Sequence, residues 1–474
     1  MSNESDRLLV LKECMQSASQ SGTEEVLVER PLGAETSPRR RGWLQSRRHA
    51  VSRAARLKPF GYSLADQALA VGGNFLVNVV LARTQSKEEY GMFALSYSFY
   101  VFLTSIHNSI ILEPYTVYGS GRYRESFSEY LRLMLRCNVF LGLALNGILL
   151  LACLFLWVLA PQRTSGAFLG LALTVSVLFS GLFLRRVFYL QRQAELAAGT
   201  SLVFLGTISL ALWLAAKTHL LNSFSAFVVL AMGWLVAGAA FGRKLSLGNP
   251  KQRFLELEPG YWQTHWNYTR WVLATAFVFQ FATQGYYWLL AGILSVKEVG
   301  ELRAMYLVVG PVEQVLVAVS FILLPALAAR YAARKMGDLL MLWKRYVLAT
   351  IGLTGVFAVA VRYWGKSVLH MLYAGKFDDL TPLLYLMALS PLLVGIGNSM
   401  VNALNAVEKP KFAFYGFLCS AAATFLGGIP LVMHFGLRGA VYGMLLSGAT
   451  YCSTLTIGFW FKVYNKAPQQ ACQV

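Results

Sequence analysis

Long apolar runs separated by short polar gaps fill the chain from about residue 60 to about residue 460. A bilayer core about 30 Å thick needs about 20 apolar residues per helix. Twelve segments reach that length: 62–82, 92–118, 133–160, 167–190, 196–216, 223–242, 270–294, 302–328, 345–364, 382–405, 411–433 and 437–461. Several contain Gly or Pro, which membrane helices tolerate because neighbouring groups satisfy the freed backbone. The pattern predicts an all-α polytopic membrane protein with about 12 transmembrane helices.

Twelve passages place both termini on one side. With the termini in the cytoplasm, 32 of the 42 Lys and Arg fall in cytoplasmic segments and 10 do not. That is the positive-inside bias, and a wrong span count would scramble it. The expected organisation is a basic, disordered cytoplasmic tail over 1–58, a six-span lobe over 59–242 and a cytoplasmic linker over 243–269. A second six-span lobe over 270–462 and a short cytoplasmic tail over 463–474 follow. The first tail ends in RRRGWLQSRRHAVSRAARLK, a run suited to anionic headgroups of membrane lipids. The first apolar segment is too long for a signal-peptide core, so no cleavable signal is expected. In the linker, charges and turn residues precede Tyr261, Trp262, Trp266 and Tyr268, the pattern of a helix lying in the interface.

Composition agrees. Hydrophobic residues make up 56% and charged residues 14%, against about 25% charged in soluble chains. A net charge of +19 would suit nucleic acid, but the basic residues sit in the gaps between apolar runs, so no nucleic acid is expected. The 6 cysteines are scattered without a CxxC, so no metal or disulfide framework is expected.

The halves repeat. LARTQSKEEYGMFALSY (81–97) follows the first span and LAGILSVKEVGELRAMY (290–306) the seventh. At a constant offset of 209, Ser86 meets Ser295, Glu89 meets Glu298, Gly91 meets Gly300 and Tyr97 meets Tyr306. SIILEP (109–114) meets SFILLP (320–325), pairing Pro114 with Pro325 and Glu113 with Leu324. Six spans per half is even, so the repeat is parallel and the substrate path lies between the lobes.

These residues also carry a family resemblance. LADQALAVGGNFLVNVVLARTQSKEEYGMFAL (64–95), NALNAVEKPKFAFYGF (402–417) and HFGLRGAVYGMLLS (434–447) resemble polysaccharide transporters of the multidrug/oligosaccharidyl-lipid/polysaccharide exporter superfamily. RRVFYLQRQAELA (185–197) is the first half's version of the second of these. The resemblance spans residues 60–462 and implies a two-lobed, V-shaped fold. It implies a flippase for a lipid-linked oligosaccharide, such as an O-antigen or exopolysaccharide repeat unit on a polyprenyl pyrophosphate, in a bacterial inner membrane. A polysaccharide polymerase and a chain-length regulator are the partners such a role implies. The alternative within the superfamily is a small-molecule or drug antiporter. A membrane enzyme is not expected, because the outer loops are short. Gly365-Lys366-Ser367 lacks the upstream glycine of a phosphate loop, so no ATPase and no cofactor are expected, and transport is coupled to protons, sodium or the potential.

Polar groups inside spans are costly and become candidate site residues. In span one Asp66, Gln67, Asn74 and Asn78 form a stripe, and in span seven Gln280, Thr283, Gln284 and Tyr287 form another. Asn74 aligns with Thr283 and Asn78 with Tyr287, so both stripes are expected to face one lumen or to bond between helices. Asp66 suits a coupling ion, or a salt bridge to the basic run. Arg185, Arg186 and Arg270 suit a pyrophosphate. Arg83 suits headgroup guidance or snorkelling. Glu313 suits a protonatable coupling site. Glu113 suits substrate coupling, or a salt bridge to Arg122 or Arg124. The shared Pro114 is expected to bend or end its helix. GxxxG at Gly238–Gly242 and Gly439–Gly443 is expected to pack helices closely.

Overall fold

The computed structural model describes residues 38–159, 166–245, 247 and 260–464. The chain forms two compact units, Met1–Lys58 and Pro59–Val474, divided where the tail was expected to end. The described part of the first unit is helical: α1 runs Pro38–Thr84. Residues 38–58, read from the sequence as part of the tail, belong to this helix, and Arg and Ala there are good helix formers. Residues 1–37 lie outside the described part.

The second unit makes twelve helical passages. The first is Phe60–Thr84 of α1. The second is α2 (Lys87–His107), a π turn (Asn108–Leu112) and α3 (Glu113–Ser120). Then come α4 (Phe127–Leu159), α5 (Gly166–Leu190), α6 (Ala194–Lys217) and α7 (Ser223–Phe241). The second lobe holds α8 (Tyr261–Ile293), α9 (Val296–Ala332) and α10 (Met336–Tyr373). Its tenth passage is α11 (Thr381–Met387) with α12 (Ser390–Ala406), its eleventh α13 (Lys411–Leu426) with α14 (Gly428–Phe435), its twelfth α15 (Leu437–Phe459). Among the described residues 9 helices are long and apolar enough to cross a membrane by length and composition. The passages built on α2, α8 and α15 fall short because Tyr, Trp, Ser, Thr and Gly dilute their aliphatic content.

The repeat is visible in local chemistry. Ser86 accepts from the Glu89 amide to cap α2, and Ser295 accepts from the Lys297 amide to cap α9. The equivalent turns before α6 and α13 each contain a left-handed residue, Arg192 (φ 58°) and Glu408 (φ 61°). Glu89 also accepts from the Ser223 amide at 2.7 Å, placing a carboxylate on the N-terminus of α7.

Three expectations need correction. Pro114 does not end its helix, because the π turn before it takes up the extra residue and α3 continues. Its counterpart Pro325 lies inside an unbroken α9, so the two prolines differ in effect. The linker aromatics are not a separate interfacial helix: Tyr261–Tyr268 are the first turns of α8, and Tyr261 is buried against Ile111, Tyr115, Tyr123 and Tyr130. The rest of the linker, 246 and 248–259, lies outside the described residues. Finally, Gly439 packs as expected, since a Cβ there would lie 2.8 Å from the Val432 amide nitrogen. Gly238 and Gly242 have nothing within 4 Å, so that GxxxG joins no helices.

Candidate functional site

The lobes meet at the end of the bundle that carries the turns after α1 and α8, opposite the end where Phe60 enters. Gly91 of α2 and Gly300 of α9, paired by the repeat, pack backbone to backbone. A Cβ on Gly300 would lie 2.9 Å from the Lys87 carbonyl oxygen and 3.1 Å from the Gly91 Cα. Lys87 donates to Glu301 at 2.9 Å and to Asp379 at 3.3 Å. Burial opposes the Lys87 charge, but the hydrogen bonds and charges of Glu301 and Asp379 outweigh it and raise the ammonium's pKa. Lys376 donates to the carbonyls of Ala82 and Arg83 at 3.0 and 3.1 Å, and also to Gln85. It thus caps the C-terminus of α1 from the other lobe. Arg83 itself is exposed and donates to the Met371 carbonyl at 3.4 Å.

About one helical turn inside this closure stands Arg303, which sequence reasoning missed. Its Nε donates to Asn78 Oδ1 at 3.1 Å, and its guanidinium lies 4.6 Å from the centre of the Tyr97 ring. Tyr287 and Tyr90 share its electrostatic surroundings. Among the described residues no carboxylate forms an ion pair with it, and it remains partly accessible. Asn74 joins the group by accepting from Tyr97 at 3.4 Å. The structure thus brings together Asn74, Asn78 and Tyr287 from the two sequence stripes, around an arginine neither contained. Its signal was present: at the offset of 209 Arg303 faces Ala94, so the charge belongs to one half only.

The other candidates form three separate groups. Asp66 is fully buried and accepts two hydrogen bonds from Arg185, at 3.0 and 2.6 Å, plus one each from Tyr189 and Ser201. Gln67 accepts from Arg185 at 2.9 Å. Asp66 therefore pairs with Arg185, and Arg185 is committed to that bidentate pair. Glu113 is exposed in a cavity of about 510 Å³ between the lobes, lined by Ser105, Asn108, Trp271, Thr275 and Phe279. The cation acting on Glu113 is Arg186, not Arg122 or Arg124. Gln280, at the same level, donates to Ser105 across the lobes, whereas Arg270 is exposed beside Trp271. Glu313 accepts from Tyr306 at 2.7 Å and lines a cavity of about 290 Å³ inside the second lobe, with Thr283, Asn398, Ser420 and Ser447. Gln284 lies on α8, half-buried, one residue beyond Thr283. No group of three or more metal-ligating side chains occurs among the described residues.

Two six-helix lobes joined at one end around a polar cleft give the architecture of a multi-pass helical membrane protein. No family model and no curated protein matches the sequence. Solved structures do match in fold. An inward-facing multidrug resistance MATE family transporter of the MOP superfamily superposes with a TM-score of 0.72 at 11% identity, covering 85% of this chain and 95% of that one. An outward-facing MATE family transporter of that superfamily gives 0.61 at 10% identity, covering 87% and 97%. A MOP superfamily transporter from Pyrococcus furiosus, described as having a binding pocket of reverse polarity, gives 0.61 at 10% identity, covering 86% and 94%. The fold is that of the MATE transporters.

Proposed function

We propose that this chain is an alternating-access exporter whose substrate carries an anionic headgroup, as a polyprenyl-pyrophosphate-linked oligosaccharide does. The observation that carries this reading is Arg303, a partly accessible guanidinium without a counter-ion among the described residues, at the closed end of the cleft. A planar fork of donors suits phosphate oxygens, and an unpaired cation in a low-dielectric site attracts an anion strongly. The tyrosines and asparagines around it suit sugar hydroxyls. With both termini cytoplasmic in a bacterial inner membrane, the closure lies on the outer side and the cleft opens inward. The higher TM-score against the inward-facing neighbour supports that state. A polysaccharide polymerase and a chain-length regulator are the partners of such an exporter. The test is outward movement of the lipid-linked intermediate in spheroplasts lacking this protein: it should stall, and an unchanged rate would exclude the role.

The similarity to multidrug resistance MATE family transporters favours a second reading, a small-molecule or drug antiporter, at least as well as the first. One feature of this chain supports it too. Glu313 and its ring of hydroxyl and amide groups form an acidic cavity of a kind that takes a proton, sodium ion or organic cation. Overexpression that raises resistance to cationic compounds while leaving surface glycan unchanged would decide for it.

A further inference from the structure

Pro114 has no amide proton, so the Ile110 carbonyl, four residues earlier, loses its ordinary helical donor. The π turn Asn108–Leu112 lies over the same carbonyl. His265, at the start of α8 and buried, reaches across and supplies a donor: its Nε2 lies 2.8 Å from the Ile110 oxygen. A carbonyl only accepts, so Nε2 carries the proton and Nδ1 is an acceptor. Tyr261, one turn earlier, donates to that Nδ1 at 2.8 Å. Tyr118 of α3 donates to the Thr264 carbonyl at 3.3 Å, and Tyr261 is buried in the first lobe's aromatic cluster. The first turns of α8 are thus bonded to the first lobe. The far part of α8 packs on the second lobe, through Gly285 on Thr424 and through Tyr286, which bonds Ser447.

We infer that His265 is a positioning residue: it pins the start of α8 to the first lobe through the carbonyl that Pro114 leaves open, so that these turns move with that lobe when the cleft changes sides. The inference rests on the alternating-access reading. When the cleft changes sides, the cross-lobe bonds further along α8, Gln280 to Ser105 and Trp288 to Ser98, must break. The His265 link does not.

The test uses the full chain in nanodiscs, with its 6 cysteines replaced and two spin-label pairs introduced. One pair, at Val117 and Trp262, spans α3 and the start of α8. The other, at Glu88 and Lys366, spans the lobes at the closed end. Lys87→Glu, which places a carboxylate against Glu301 and Asp379, should widen the outer pair and leave the inner pair narrow. Adding His265→Leu should broaden the inner pair, and adding His265→Gln, which keeps a donor, should not. Pro114→Ala returns an amide to Ile110. Combined with His265→Leu it should restore the Tm but leave the inner pair broad. An inner pair that widens while His265 is present, or stays narrow in His265→Leu, overturns the inference. So does restoration of both readouts by Pro114→Ala, since His265 would then merely satisfy a carbonyl. An outer pair that never moves counts against alternating access itself. In that case broadening of the inner pair by His265→Leu alone still supports the anchor.

Discussion

Gly91→Ala should switch the resting state of the cleft. In the closed end the new Cβ falls on the Val296 carbonyl group, 2.6 Å from its carbon, and no side-chain rotation relieves a clash with backbone. The two helices must separate locally by roughly the overlap, and overpacking of that kind costs about 1–3 kcal/mol. Helix propensity works the other way, since Ala is favoured over Gly by about 0.5–1 kcal/mol within a helix. That gain is present in both states, whereas the clash exists only where Gly91 faces Val296. The closed end is therefore penalised relative to the open one by the full clash, a roughly 5- to 150-fold shift in population at about 1.4 kcal/mol per decade. A cysteine at Asn78, buried in this state, reports the change through its rate of labelling by a membrane-impermeant reagent added from the outside. Labelling should accelerate in Gly91→Ala by about the population factor. Gly292→Ala, which meets nothing within 4 Å, is the control. Equal labelling in Gly91→Ala and the control would refute the claim that this glycine contact holds the lobes together.

Three further outcomes follow from the same geometry. Asp66→Asn removes a fully buried carboxylate from Arg185, and breaking a buried pair costs about 3–5 kcal/mol; differential scanning fluorimetry should show a clear fall in Tm, and an unchanged Tm would mean Arg185 finds another partner. Glu113→Gln should reduce export more than Pro114→Ala at equal protein levels, because the carboxylate lies open in the inter-lobe cavity while the Ile110 carbonyl keeps its His265 donor; a transport assay giving the reverse order would exchange the two roles. Glu313→Gln should abolish ion-gradient dependence of transport while leaving the fold intact, if the cavity around it takes the coupling ion; unaltered gradient dependence would remove it from the coupling step.

The twelve passages and the two lobes were legible because the bilayer imposes one length and one composition on every span. The repeat was legible at Ser86 and Ser295 and at Gly91 and Gly300, where capping and close approach restrict the residue type. What sequence could not supply were pairings between distant spans. Asp66 and Arg185 were separate candidates, and nothing in their separation of 119 positions shows that each satisfies the other. Arg303 was hidden by its position near the mouth of a span, where arginines usually snorkel; only packing of the second lobe against Asn78 and Tyr97 sets it inside the cleft as a half-buried cation. His265 was masked by its aromatic neighbours, which read as an interfacial belt. Its role depends on a carbonyl 155 residues away that Pro114 leaves without its usual donor.

The central claim is that the cleft handles an anionic headgroup through Arg303. Purified protein in proteoliposomes, given a fluorescent polyprenyl-pyrophosphate-linked oligosaccharide, should move it across the bilayer. Arg303→Gln should slow that movement by at least about tenfold, as expected for the loss of one charged hydrogen bond of about 1.5–3 kcal/mol. No movement of that lipid by the unaltered protein, together with ion-driven uptake of an organic cation that Arg303→Gln leaves intact, would contradict the account.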